Sequence, residues 1–519
     1  MAGLDWAVVA AYLLLVAAIG LWNARGQDDT EDYFLGGHRI PWWVAGVSIL
    51  ATETSALTFL GAPTQSLRAD WTYAQLLFGS ILGRLLVAAL LIGVYYRARV
   101  FTVYSYLGQR FGPGTRRASV GLFFVGRCLG SGVRLYGAAL ALVVLLPELD
   151  RWAPGWGFEL AIALVGLVAL LYTTTGGLRS VVWTDTVQGL LLFVGGGLAL
   201  VWLIDACGGP GEALAGLLDG RTAAGTAKLR LLHSGFEHGP GGALTFRFDE
   251  AYTLVGGVIG ACFLTMSTHG TDQDMIQRAL ACKDAAGGRK SLWLSAVLAF
   301  PIVFLFLSIG SLLWLKLGGD AAVDAQALAL SQRIGKTEAS YDLVFPAWVL
   351  ASLPSPAKGL VFCGLFAAAM SSLDSAISAL STTFVKNVWQ PWLRPGRPER
   401  EYLRAARWAS LGFGLLLIAI AVFVWHAEPV AGRGQGFGVL KLGLEVLSWI
   451  FPPLLGIFLL GALTRRGSDA GNLLALALGI GVLLVPGKPF AWIWNPLVGC
   501  GLTFGIAVLF PGRPAEADA

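Results

Sequence analysis

Apolar runs of about 20 residues alternate along the chain with short charged stretches, and a helix of that length crosses the ~30 Å hydrocarbon core of a bilayer. Thirteen such runs are read, at roughly 4–23, 41–66, 71–96, 118–146, 157–174, 182–204, 250–269, 290–315, 357–387, 404–425, 437–463, 469–486 and 491–511. Two longer polar connections, 205–249 and 316–356, interrupt them, and neither has the length or core of a separate enzyme domain. The first run is read as a retained helix. Residues 1–5 carry no Lys or Arg, and the stretch Trp22, Asn23, Ala24, Arg25 is no small-x-small cleavage site.

Composition agrees with this pattern. Of 519 residues 56% are hydrophobic and only 13% charged, against roughly 25% charged in soluble chains. The cations sort by side, as expected where short cytoplasmic loops hold the excess of Lys and Arg. Arg97, Arg99, Arg110, Arg116 and Arg117 fall on one side with Arg278, Lys283, Arg289 and Lys290, and so do Lys386, Arg394, Arg397, Arg400, Arg404 and Arg407, then Arg465, Arg466 and Arg513. The opposite short loops hold isolated cations such as Arg68, Arg151 and Arg433. The expectation is an N-terminus outside, a C-terminus inside and both long connections outside. The net charge of +5 forms no single basic patch, so nucleic acid is not an expected partner; the expected surroundings are the lipid bilayer of the cell (inner) membrane. The six cysteines are scattered without paired spacing, and the five histidines form no HExxH-type cluster. No nucleophile–base pair or metal set points to an enzyme.

Three runs carry polar groups at mid-depth. The second holds Thr52, Glu53, Thr54 and Ser55, where unwinding exposes carbonyls that a membrane tolerates only around a cavity or an ion. The seventh has Thr265, Ser267, Thr268, His269 and Gly270, and a similar break is expected there. Two interrupted helices five spans apart are the trace of an inverted repeat, which places the repeats at spans 2–6 and 7–11. In the ninth run Ser371, Ser375, Ser378 and Thr382 recur at i, i+4, i+7 and i+11 and share one helical face, with Asp374 near it. Small residues that let helices approach account for the serines. They do not account for Asp374, since an intramembrane carboxylate marks an ion or proton pathway by default. Hydroxyls, carbonyls and a carboxylate are hard ligands suited to sodium.

Four stretches then identify a resemblance. Thr30, Glu31, Asp32, Tyr33, Phe34, Leu35, Gly36 and Gly37 precede the second span; Gly176 and Gly177 lead to Trp183, Thr184, Asp185, Thr186, Val187, Gln188 and Gly189. Gly270, Asp272, Gln273, Asp274, Gln277 and Arg278 follow the seventh span, and Ala367, Ala368, Ala369, Met370, Ser371 and Ser372 lie in the ninth. Their order and spacing resemble the sodium/solute symporter family over nearly the whole chain. The resemblance implies an all-α polytopic membrane protein with a LeuT-like five-plus-five inverted repeat, about 13 transmembrane helices and alternating access. The divisions that follow are 1–40, an extra N-terminal helix and cytoplasmic linker; 41–204, the first repeat; 205–249, an extracellular loop; 250–463, the second repeat; and 464–519, two C-terminal helices and a short tail.

The resemblance also implies sites. The family's common sodium site falls on the carbonyls of Ala51, Thr54 and Ala368 and the hydroxyls of Ser371 and Ser372. A second sodium, bound in some members, would use Asp185, Ser371, Asp374 and Ser375; Asp374 departs from the serine of those members, and whether it takes sodium or a proton is open. The solute is expected near Glu53, Ser55, Thr58 and Thr268, with Gln75 as a roof contact. Arg127 and Arg134, seven apart and so on one face of the fourth span, are expected to face it too, with Glu53 as the nearest internal partner. The expected function is a monomeric, sodium-coupled importer of a small polar solute, with some preference for an organic anion, sialic-acid-like or monocarboxylate. A neutral sugar remains the alternative, with Arg84, Arg127 and Arg134 then neutralising Glu53, Asp374 and Glu445. A non-transporting membrane sensor is the reading from another class, against which stands a chain that ends within about eight residues of its last span, with no signalling domain following.

Overall fold

A backbone in hydrocarbon has no partner for its N–H and C=O groups except itself, so spanning segments become helices, and the computed structural model is helical almost throughout. It describes residues 1–23, 29–146, 148–238, 242–334, 338–431 and 439–512. Arg433 and Arg513, which enter the expected charge pattern, lie outside the described residues.

In chain order the membrane helices are α1 (Gly3–Asn23), α2 (Trp42–Glu53), α3 (Ala56–Arg68), α4 (Leu76–Leu90), α5 (Pro113–Leu145), α6 (Gly157–Ala206), α7 (Ala261–Thr271), α8 (Gln273–Leu280), α9 (Ala285–Leu317), α10 (Ala357–Phe384), α11 (Glu399–Ala431), α12 (Val439–Leu463), α13 (Asp469–Leu484) and α14 (Asn495–Ala507). Among the described residues nine helices are long and apolar enough to cross a membrane, or ten when α2 and α3, bent by 60° at their junction, count as one span. The continuous helix α6 contains two expected spans, separated where Gly177 takes φ 55°, a left-handed conformation that a side chain resists. The expected seventh, twelfth and thirteenth spans are the shorter ones.

The seventh span differs most from expectation. It begins with a π-helical turn, Gly256–Gly260, and α7 then runs unbroken through 265–270. Ser267, Thr268 and Thr271 donate back to Phe263 O (2.7 Å), Leu264 O (3.2 Å) and Ser267 O (2.7 Å), so their hydroxyls stay within the helix. The break comes at Asp272, whose backbone is extended and whose carboxylate caps α8 by accepting from Asp274 N.

Helix α10 is built mostly of apolar and small residues, with Asp374 its buried charge, and is buried almost completely, with its most extensive contact on α6. A helix buried all round occupies the interior of a bundle, and here it carries the serine face into the centre. On the other side of α2 and α3, α4 lies close against α7 and the π turn. A Cβ on Gly79 would stand 2.2 Å from Gly257 O, so only glycine permits that approach. The 205–249 connection folds over this region. It holds a hairpin of β1 (Phe236–His238) and β2 (Leu244–Phe246) with Phe236 opposite Phe246, and it is fastened where Trp71 N donates to Arg230 O (3.1 Å) and Ala491 N to Phe248 O (2.7 Å).

Candidate functional site

The α2–α3 break leaves Thr54 and Ser55 outside helical geometry, with Ser55 Oγ accepting from Leu57 N as the cap of α3. The serine face of α10 meets the carbonyls at the end of α2. Ser371 Oγ donates toward Ala51 O (3.1 Å) and Ala368 O (3.3 Å), and Ser372 Oγ toward Thr52 O (3.2 Å) and Ala368 O (3.2 Å). A cavity of about 10 Å³ sits at this junction, lined by Ala51, Thr54, Ala368 and Ser371 among others. That is about the volume one water or one small ion requires. Gln188, which the sequence reading passed over, lines it too, and its Oε1 is buried without a partner among the described residues. The oxygens are neutral and hard, a set that can hold a monovalent cation of low charge density without a carboxylate.

Deeper along α10 the polar face continues into a charged cluster. Asp185 Oδ2 accepts from Ser48 Oγ (2.5 Å), more distantly from Thr52 Oγ1 (3.4 Å), and from Arg278 Nη2 (3.2 Å). Arg278 is also bonded to Ser48 through Nε (2.7 Å), to Ser375 Oγ, and to Asp274 Oδ1 (3.2 Å). It is fully buried, so it is a structural cation of the cluster, not a loop cation of the cytoplasmic side. Its spacing of four from Asp274 on one helix was the signal for that pairing. Among the described residues Asp374 makes no ion pair; Tyr172 Oη (2.6 Å) and Ser375 Oγ (3.2 Å) donate to it. Asp185 Oδ1 is buried and lacks a partner among the described residues.

In front of the break lies a cavity of about 160 Å³ between α2, α3, α4, α5, α7, α9 and α12. Glu53, Ser55, Thr58, Thr268 and Arg134 all line it. Gln75 does not. Its carboxamide is turned into the packing between the connection and the π turn, donating to Tyr252 O (2.9 Å) and accepting from His233 N (3.1 Å). Arg127 is also elsewhere: it pairs with Asp272 (2.7 Å) and Asp274, and not with Glu53. The two arginines stand two helical turns apart on α5, and only Arg127 reaches these carboxylates.

Glu53 is neutralised by Arg84, whose guanidinium is fully buried and also donates to Ser295 O (3.2 Å) and His269 Nε2 (3.3 Å). With Nε2 accepting, the His269 proton sits on Nδ1 and is donated to Thr268 Oγ1 (3.0 Å). These cavity groups therefore satisfy one another. Arg134 stands apart: its Nη1 is buried with no hydrogen-bond partner, and it makes no ion pair among the described residues. Outside the membrane helices, His233 and Glu237 of the 205–249 connection cluster with Glu250 just beyond it, but Arg247 already lies 2.8 Å from Glu237 and 3.5 Å from Glu250.

A helix broken at mid-depth, an oxygen nest beside the break, and a solute-sized cavity before it define a membrane transporter that couples solute movement to an ion. The comparisons give the particular family. Residues 33–479 match the sodium:solute symporter family, and the chain belongs to it. It is similar to a sodium/sialic acid symporter of Aliivibrio fischeri, 26% identical over 93% of this chain and 87% of that one. It is equally similar to a sodium/glucose cotransporter of Vibrio parahaemolyticus, 26% identical over 92% and 84%. A human sodium/iodide cotransporter is 28% identical over 92% and 69%. In fold it matches the substrate-bound, outward-open structure of a sodium-coupled sialic acid symporter, with TM-score 0.79, 21% identity and coverage of 98% and 97%. A nucleobase–cation symporter in a closed conformation matches at TM-score 0.52 with 14% identity over 93% and 94%. The architecture is LeuT-like, and the protein is a multi-pass, sodium-coupled solute symporter rather than an enzyme.

Proposed function

We propose that this symporter imports a small organic anion, sialic-acid-like or monocarboxylate, through the cell (inner) membrane, driven by sodium bound at Ala51, Thr54, Ala368, Ser371 and Ser372. The observation that carries the anion is Arg134. A buried guanidinium nitrogen without an acceptor costs several kcal/mol, every other charged group lining the cavity has its partner inside the protein, and a carboxylate is the acceptor that fits the planar fork. The sialic acid symporters among its relatives support an acidic solute. Thirteen crossings with the N-terminus outside, two repeats at 41–204 and 250–463, and a monomeric state complete the reading.

The test is sodium-driven uptake in proteoliposomes, competed by a panel of carboxylates and neutral sugars, on wild type and Arg134→Lys. Carboxylates are expected to compete, and lysine to substitute badly because it offers a point charge without the fork. Neutral sugars competing best, with affinity unchanged by Arg134→Lys, would make the arginine structural and the solute neutral.

A further inference from the structure

The anion reading leaves two kinds of acid open, and the cavity discriminates between them. Its volume of about 160 Å³ is close to that of an engineered cavity of ~150 Å³ that holds a single benzene. It is well below the ~300–1,000 Å³ of sites for drug-sized ligands. A nine-carbon sugar acid belongs with the larger ligands; a branched short-chain or single-ring acid belongs with the smaller.

The wall chemistry points the same way. Much of the lining is carbon: Leu57, Leu264, Ala299, Ile302, Val303 and Leu447. Among the described residues no Asn or Gln side chain lines the cavity, and Gln75, the carboxamide expected there, is committed to Tyr252 O and His233 N. The single lining carboxylate, Glu53, is held by Arg84, and His269 and Thr268 bond each other. A polyhydroxylated body would set several hydroxyls against carbon, each losing the partner it had in water. A hydrocarbon body of the same reach gains by losing contact with water. Besides Thr268, the lining hydroxyls are those of Thr54, Ser55, Thr58, Tyr73, Ser80 and Thr265, single groups spread over several elements with no carboxamide among them to meet both the donor and the acceptor of a vicinal diol.

Resting on the anion reading, we propose that the solute is a monocarboxylate with a compact apolar body, aliphatic and branched or a single aromatic ring, its carboxylate on Arg134 and its body against the α3, α7 and α9 wall.

The experiment uses the purified full chain with and without sodium. Thermal stabilisation and competition of uptake are measured with 3-methylbutanoate, benzoate, N-acetylneuraminate, benzamide and glucose. Stabilisation follows from mass action on the folded state. The expected result is sodium-dependent binding of 3-methylbutanoate or benzoate at least tenfold tighter than N-acetylneuraminate, with benzamide binding at least tenfold more weakly than benzoate. Ala299→Leu, which shortens the apolar side without touching Arg134, should then weaken benzoate by more than it weakens acetate. N-acetylneuraminate binding at least as tightly as both small acids overturns this inference and leaves the anion reading standing. Benzamide or glucose binding as well as benzoate removes the anion reading itself. Absence of sodium-dependent binding by either small acid also overturns the inference.

Discussion

Ser371 Oγ on α10 lies 3.1 Å from the carbonyl oxygen of Ala51 at the end of α2, so the hydroxyl of one repeat caps an oxygen freed by the break in the other. Ser372 makes the matching contact to Thr52 O at 3.2 Å. A hydroxyl can rotate its proton away and offer its lone pair to an ion, which makes these contacts exchangeable for sodium. Ser371→Ala or Ser372→Ala is expected to weaken apparent sodium affinity about 5- to 100-fold, the range for losing one polar contact in a buried site, and the double variant should lose sodium-driven accumulation. Folding should hold, since only a small polar group is removed. Sodium titrations of uptake decide it; wild-type sodium dependence in the double alanine variant would refute the assignment.

The break at Thr54 was legible because four polar residues interrupt an apolar run, and the serine face of α10 because its period is helical. The second break was displaced in the sequence reading, since Ser267, Thr268 and Thr271 look like helix interrupters yet bond back to their own helix; the true break needs the capping carboxylate of Asp272. Partner choice was the least legible. Arg127, Arg134 and Arg84 are interchangeable as letters, and only packing decides that Arg84 meets Glu53 while Arg127 meets Asp272 and Asp274. Arg278 was hidden by its place beside other loop cations, although it is buried at the centre.

The two arginines of α5 should therefore respond oppositely to removal. Arg127→Met leaves Asp272 and Asp274 buried with less compensating charge, a loss of about 3–5 kcal/mol for breaking a buried pair, so the thermal midpoint should fall whether or not solute is present. Arg134→Met removes a group that makes no ion pair among the described residues. Its apo midpoint should stay near or above wild type while solute affinity falls. Thermal melts with and without saturating solute separate the two, and equal losses of apo stability would contradict the assignment.

Lys228 in the 205–249 connection is fully buried, donates to Leu67 O at the end of α3 (3.0 Å), and lies 4.6 Å from the Trp314 ring centre. Burial pushes its ammonium down to about 8, partly offset by Asp320 and Asp70. Between that value and the ~10.4 of an unfolded lysine, the unfolded chain binds the proton and the folded one releases it. Stability attributable to this group therefore rises with pH across that window. Lys228→Met should flatten the slope of thermal midpoint against pH from 8 to 10. An unchanged slope would place the pH dependence elsewhere.

The inner cluster sets four carboxylates, Asp185, Asp272, Asp274 and Asp374, against the guanidiniums of Arg127 and Arg278. Arg278 already supplies a cation to Asp185, so the pair of Asp185 and Asp374 is partly compensated within the protein. The surplus of carboxylates nevertheless remains, and like charges in a low-dielectric interior repel unless a proton or cation joins them. Among the described residues Asp185 Oδ1 lacks a partner, and the side chains that donate to Asp374 are the hydroxyls of Tyr172 and Ser375. A second monovalent cation beside Asp185, Asp374 and Ser375 would balance part of that surplus, and the expected coupling ratio then exceeds one cation per solute. Asp374→Asn should lower the ratio measured by reversal potential while leaving solute binding at saturating sodium within a few-fold of wild type. If the extra charge is a proton, the same substitution should instead remove a pH dependence of transport at fixed sodium. A ratio of one in wild type, with both ratio and pH dependence untouched by Asp374→Asn, would show that Arg278 and its neighbours hold the cluster without any transported charge.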